Sequence, residues 1–432
     1  MTTQFMRWTS MMVVALALPA SAQAAGFNWQ KYQGQTLDVL VDNNPIGQVI
    51  ANNIGEFEKL TGIHVKVDIF TEQQMRQRLV TVLDAKSSQI DTFMTLPSRE
   101  GQQFAYAGWY TNLTPMTNDV SPDYDFNGLS PALLKAATIN GQLTSIPMNI
   151  EGPVLYYRTD VFDKCKLSPP KTLQDLPVIA AKIKACDPSI TPFVSRGLRD
   201  AVPYTYSVFF HNMGGAYIEN GKSALCSPAG INALALYANL LKDYGPLGVV
   251  NYTFYQISSL YRSGRAAMSF ESSNELSNVM QGGTRLHDTG ITLLPPGPGG
   301  SRPIVIAWGL AISPYSTHKG AAWYLIQWAT SPAMQAKDEL AGIAAPRPAI
   351  IKDPQVKAWL DEVPVRQAWQ KAVNELANTG ISDIGYPIID NPESRQYIGM
   401  AVDQTLLGAA TAKEACTLAE DKLNALIARD HG

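Results

Sequence analysis

Two periods of apolar residues alternate along the N-terminal third of the chain. Leu37 to Val41 is a continuous apolar run, which reads as a buried strand. After Asn43-Asn44-Pro45, the apolar residues Val49, Ile50, Ile54, Phe57 and Leu60 recur at helical spacing, and Gly62 ends the pattern. Val65 to Phe70 predicts a second strand. Met75, Leu79, Val82 and Leu83 mark a second amphipathic helix, and Ile90 to Met94 a third strand. A β-α-β-α-β run implies a parallel sheet covered by helices. In such sheets ligands sit beyond the carboxyl ends of the strands. That places Asn43, Asn44, Thr95, Ser98 and Arg99 beside a cleft, although Asn43 and Asn44 also suit a helix cap.

A second unit follows. Asn140-Gly141 is a hairpin turn signal, and Leu155 to Arg158 reads as a strand. Thr172 with Asp175 can cap a helix over Leu173 to Ala185. Ser227-Pro228 starts another helix, which carries Ile231, Leu234, Leu236, Leu240 and Leu241 and stops at Gly245-Pro246. The proline-dense stretch Leu294 to Pro303 predicts a surface loop before a strand from Ile304. Its glycines lack the GK[ST] ending and the strand–helix context of a phosphate loop.

The first 25 residues break both patterns. Arg7, the apolar run Met11 to Leu18, Pro19 and the small-residue sites Ala20-Ser21-Ala22 and Ala22-Gln23-Ala24 read as a secretory signal peptide. The run is far short of the roughly 20 residues of a membrane span, and no Cys follows it for lipid attachment. The expectation is a cleaved, periplasmic protein beginning at Gln23, Ala25 or Gly26. Four cysteines then remain, and an even count in an exported chain favours disulfides. Cys165 and Cys186 flank one predicted helix and its lead-in, so they can meet; Cys226 and Cys416 are far apart in sequence, and free thiols are the alternative for each pair.

With 46% hydrophobic and 16% charged residues, the chain is not disordered and is long enough for two domains. A formal net charge of -3 gives no electrostatic case for nucleic acid or an anionic membrane surface. The five histidines are scattered, and no CxxC or HxxxH spacing supports a metal site. Neither HExxH nor GxSxG occurs. Paired carboxylates such as Glu151 and Glu271 keep a secreted carbohydrate-active enzyme open as a rival. Aromatics stand beside polar residues at Trp308-Gly309, at Tyr204 and Tyr206 after Pro203, and at Tyr386-Pro387. Sugars offer C–H faces to rings and hydroxyls to amides, carboxylates and Arg.

Five segments in order resemble the extracellular solute-binding proteins of group 1, the family of maltose-binding protein. They are NGQLTSIPMNIEGPVLYYRTDVFDK from Asn140, PPKTLQDL from Pro169, DYGPLG followed by SGRAAM ending at Met268, PPGPGG with AWGLAIS and AAWYLIQWAT from Pro295 to Trp328, and Ala345-Pro346-Arg347. The resemblance implies an α/β fold of two lobes, the type II periplasmic-binding-protein plan, each lobe a mostly parallel sheet flanked by helices. It implies crossovers near Met148–Glu151, Ile306–Gly309 and Ile343–Arg347, so that residues 26–148 with 309–344 form one lobe and 149–308 with 345–432 the other. It implies a monomer without cofactor or catalytic residues that takes a small carbohydrate or polyol and docks on the permease subunits of an ABC importer.

By the same resemblance Glu151 and Arg99 contact sugar hydroxyls, Trp308 and Tyr204 stack on the sugar, Arg347 matches the arginine of the P-x-R step, and Glu271 to Asn274 occupy a ligand-facing loop. Asn274 stands where the maltose protein carries a stacking Trp, which points to a smaller or more linear solute. Arg99 and Arg347 also keep a receptor for an anionic small molecule open.

Overall fold

The computed structural model describes residues 26–430. The predicted signal segment lies outside the described residues. Within them, no helix is long and apolar enough to cross a membrane.

The N-terminal alternation folds as read. Strand β1 (Thr36–Asp42) pairs in parallel with β2 (His64–Phe70) and with β3 (Thr92–Thr95). Helix α1 (Pro45–Thr61) starts where the Asn44 side chain accepts from the Gly47 amide at 2.9 Å, and ends where Gly62 takes the left-handed conformation, φ 68°. Helices α2 (Glu72–Asp84) and α3 (Pro97–Tyr106) follow β2 and β3. The Asn140-Gly141 hairpin forms, with both residues at positive φ (51° and 76°), as a type I′ turn requires.

Two sheets result. The first has the order β2-β1-β3-β9-β4, where β4 is Ile146–Pro147 and β9 is Gly309–Ile312. The second has the order β8-β5-β7-β6, where β5 is Pro153–Arg158, β6 Thr191–Val194, β7 Ala266–Ser272 and β8 Thr289–Thr292. Both are mixed rather than mostly parallel. β9 runs antiparallel to β3 and β4, and β5 antiparallel to β7 and β8; only β6 and β7 are parallel in the second sheet. The reason is where the strands begin. β1, β3, β6 and β7 run toward the space between the sheets, whereas β5 and β9 start there, directly after a segment that has crossed from the other lobe, and so run away from it.

The crossing segments are bonded to one another. The Met148 amide donates to the Trp308 carbonyl at 2.8 Å, and Ile150 to Ala344 at 2.8 Å. Glu151 and Ile306 exchange both backbone bonds, at 2.9 and 2.8 Å. The strand expected from Ile304 is reduced to two isolated bridges, Ile304 with Ile381 and Ile306 with Glu151; regular pairing begins at Gly309.

In the second lobe, α4 (Val202–Asn212) is buried along its whole length. Helix α5 (Pro228–Tyr244) opens with Ser227 as N-cap, as expected. The helix after Thr172 begins instead at Asp175, whose carboxylate accepts from the Lys171 and Thr172 amides at 2.9 and 2.8 Å. Helices α6 (Phe254–Arg262), α7 (Asn391–Leu406) and the C-terminal α8 (Ala412–Asp430) complete this side. Cys165 is bonded to Cys186, and Cys226, just before α5, to Cys416 on α8.

Candidate functional site

The carboxyl ends of β1, β6 and β7 face one another across the crossing segments, around a cavity walled by both lobes. From the first lobe it receives Asp42, Asn44, Glu72, Leu96 and Arg99. From the second it receives Arg196, Tyr204, Phe254, Ser272, Asn274, Glu275 and Arg395, and from the crossings Glu151, Ile306 and Trp308.

Each acid has a distinct setting. Asp42 ends β1, is fully buried, and accepts from the Tyr255 hydroxyl of the opposite lobe at 3.3 Å; its second oxygen has no partner. Burial first, and the nearby Glu72 second, hold its carboxyl well above the usual range. Glu151 accepts from Asn274 Nδ2 at 2.9 Å, Asn149 Nδ2 at 3.2 Å and Ser272 Oγ at 3.3 Å. Burial raises it to about 7; Arg196 opposes the rise, and Glu275, Glu271 and Glu72 add to it. Glu275 is likewise raised to about 7 by burial, although Asn278 and Ser258 bond it. For Glu72 burial is outweighed by Arg76, Arg196 and Arg99, so it is held low and charged.

Three arginines line the cavity. Arg196 is clamped by Glu271 through Nε at 3.0 and 2.9 Å and Nη2 at 2.6 Å, and its guanidinium lies 4.3 Å from the Tyr204 ring centre. Arg99 donates to Asp200 across the lobes at 3.2 Å and keeps its Nε unpaired. Arg395 has no carboxylate partner in bonding distance. It donates to the carbonyls of Ile384 at 2.6 Å and Asp200 at 2.9 Å, its Nε is unpaired, and burial together with the charge of Arg99 lowers it to about 9. The Tyr204 hydroxyl is buried and unpaired too. The lobes are in contact around this space, through Arg99–Asp200, Tyr255–Asp42 and the packing of α3 on α7.

The structure brings Asn44, Arg99, Glu151, Tyr204, Asn274 and Trp308 to this one cavity. Asn44 caps α1 as well, so both readings of it hold. Five residues stand elsewhere; Thr95, whose hydroxyl is bonded to Glu100 and Tyr110, and Ser98 are outside the lining. Asn43 is outside the lining and its side chain accepts from Gln48. Glu271 lies behind the wall, where it orients Arg196. The Arg347 guanidinium is given to the carbonyls of Tyr124, Asp125 and Thr330. The Tyr204 ring has Arg196 over one face, so the residue offers the cavity its hydroxyl as well as its ring.

Asp42, Glu72, Arg196, Phe254, Glu275 and Arg395 were missed. Asp42 sits at the carboxyl end of a correctly read strand and was within reach of the rule that found Asn43 and Asn44. Arg395 sits inside a polar helix more than 40 residues after the last motif, and nothing local marks it.

A family model described as bacterial extracellular solute-binding protein matches residues 41–336. The chain therefore belongs to that family. It is 26% identical over 418 residues to the mannitol-binding protein of Pseudomonas aeruginosa, covering 92% of this chain and 91% of that one. It is 24% identical over 348 residues to the erythritol/L-threitol-binding protein of Mycolicibacterium smegmatis, covering 76% and 73%. Among solved structures, an ABC transporter solute-binding protein from Agrobacterium radiobacter in complex with ribitol superposes with TM-score 0.80 at 25% identity, over 91% of this chain and 99% of that one.

Proposed function

We propose that this protein is the periplasmic solute receptor of an ABC importer, and that it captures a small neutral polyhydroxylated solute, an acyclic polyol or monosaccharide, between its lobes. One observation carries the reading: a buried cavity, walled by both lobes, keeps unsatisfied acceptors and donors side by side. The free Asp42 oxygen and Glu151 can accept from hydroxyls. The Nε atoms of Arg99 and Arg395 can donate to them, and the Tyr204 hydroxyl can do either. Chains of vicinal hydroxyls, which donate and accept at every carbon, match that mixture. An anion matches it less well, because Arg99 and Arg196 already hold carboxylates and four acids share the wall. Relatives named for mannitol and for erythritol and L-threitol, and a ribitol complex, support the same class.

Glu151 and Trp308 act on the solute from neighbouring crossings, the carboxyl on hydroxyls and the indole on a C–H face. The lobes close by a hinge at the crossings, and the closed form is what the permease receives; the receptor leaves its solute chemically unchanged. The test is a thermal-shift screen of the mature protein against four- to six-carbon alditols, monosaccharides, amino acids and organic anions. A ligand at 100 times its Kd stabilises by about 2.7 kcal/mol. Stabilisation by anions alone would sink the reading, as would turnover of the hit on prolonged incubation. N-terminal sequencing of the periplasmic protein should give Gln23, Ala25 or Gly26.

A further inference from the structure

A second cavity lies behind the first. Two residues, Ile306 and Trp308, line both. Each is only 4% exposed, so between them they form a common wall, made entirely by the second crossing segment. On the far side the surroundings are apolar, with Pro97, Leu133, Ala137 and Ala307, interrupted by the hydroxyls of Ser98 and Ser145. Both hydroxyl oxygens are buried and have no hydrogen-bond partner. A buried hydroxyl left unpaired is an exception in folded proteins and marks a place that accepts a polar guest or water.

We propose that Trp308 is a length gate: it divides what is otherwise one continuous binding space, confines the solute to a single short polyol or ring, and excludes anything with a second sugar unit. The inference rests on the reading of the first cavity as a polyol site and adds to it the residue that sets the upper size. Arg76 holds the gate. Its guanidinium lies 5.0 Å from the indole ring centre and is itself fixed by Glu72 at 3.0 Å and by Glu100. The indole therefore has a cation over one face, and swinging it aside means breaking that stack. With the indole removed, a longer solute would set its second unit in the place the ring vacates, against these apolar side chains and the hydroxyls of Ser98 and Ser145. Discrimination against longer solutes thus comes from a wall, that is, from a repulsive element, and not from weaker contacts.

Calorimetric titration of ribitol, mannitol and maltitol, the last an alditol bearing one glucose ring, tests this. The wild-type protein should bind mannitol or ribitol at least 100-fold more tightly than maltitol. Trp308→Ala should weaken the short alditols tenfold or more and tighten maltitol tenfold or more. Adding Ser145→Ala to that variant should remove most of the maltitol gain. If Trp308→Ala does not fold, Ile306→Ala opens the same wall and should shift the ratio in the same direction by a smaller factor. A wild-type protein that binds maltitol as well as mannitol overturns the gate and leaves the receptor reading intact. A folded wall variant with no gain for maltitol does the same. A wild-type protein that binds none of the sugars and alditols tested removes the reading on which the gate rests.

Discussion

The first and third crossings do the same mechanical job and differ in chemistry. Both carry a charged residue that sequence resemblance placed on the solute, Glu151 in one and Arg347 in the other. In the structure Glu151 faces the cavity, with Asn149, Ser272 and Asn274 donating to it and its carboxyl raised to about 7. Arg347 faces the first lobe, where three backbone carbonyls accept its guanidinium and the ring of Tyr124 lies 5.3 Å from it. A motif match fixes where the backbone goes. Whether a side chain meets solute depends on which partners fold up against it. Glu271 teaches the same against Glu151: both acids were candidates, and the one with a bidentate Arg partner is committed to holding Arg196.

The sharpest way to break this contrast is Glu271→Ala. It leaves the Arg196 guanidinium buried without its partner, which costs about 3–5 kcal/mol; chemical denaturation should show that loss even without solute. Arg347→Ala should cost about 1–3 kcal/mol through its orphaned carbonyls, while solute affinity in the surviving folded fraction stays within about twofold. Glu151→Ala should act on binding as well, with affinity reduced roughly 5- to 150-fold, the equivalent of one stranded hydroxyl at about 1–3 kcal/mol, while melting falls because Asn149, Ser272 and Asn274 lose their shared acceptor. If Arg347→Ala abolishes binding at unchanged stability, the assignment of the two crossings is reversed.

The smallest effect is in pH. Glu151 and Glu275 both rise from 4.5 to about 7 on folding through burial. The folded form then binds protons more tightly than the unfolded one. Their contribution to stability is fully present below pH 4.5 and is lost as pH rises toward 7. Melting of the solute-free protein should fall across that window, and Glu151→Gln should flatten the slope. An equal slope in Glu151→Gln and wild type would place the titration elsewhere.

Much of the fold was legible because local rules decide it. Asn44 with Pro45 and Gly62 bound α1, Ser227 with Pro228 starts α5, and Asn140-Gly141 makes its turn, each by chemistry confined to a few residues. Strand direction was not legible, because β5 and β9 take theirs from the lobe they have just left. The site was half legible for the same reason. Residues next to strand ends or motifs, such as Arg99, Asn274 and Trp308, could be found. Arg395 reaches the cavity only because α7 packs against α3 of the other lobe, and Arg196 only because Glu271 on the neighbouring strand turns it inward.

The bond between Cys226 and Cys416 carries a consequence for the order of events. It spans 190 residues and ties the start of α5 to α8. The second lobe also draws Arg395 from α7. Its cleft wall is therefore incomplete until residues as late as Arg395 have emerged, whereas β1, β2 and β3 of the first lobe are neighbours in sequence and can pair early. Folding should be ordered, with β1, β2 and β3 pairing before the second lobe gathers its long-range contacts, the Cys226–Cys416 bond among them.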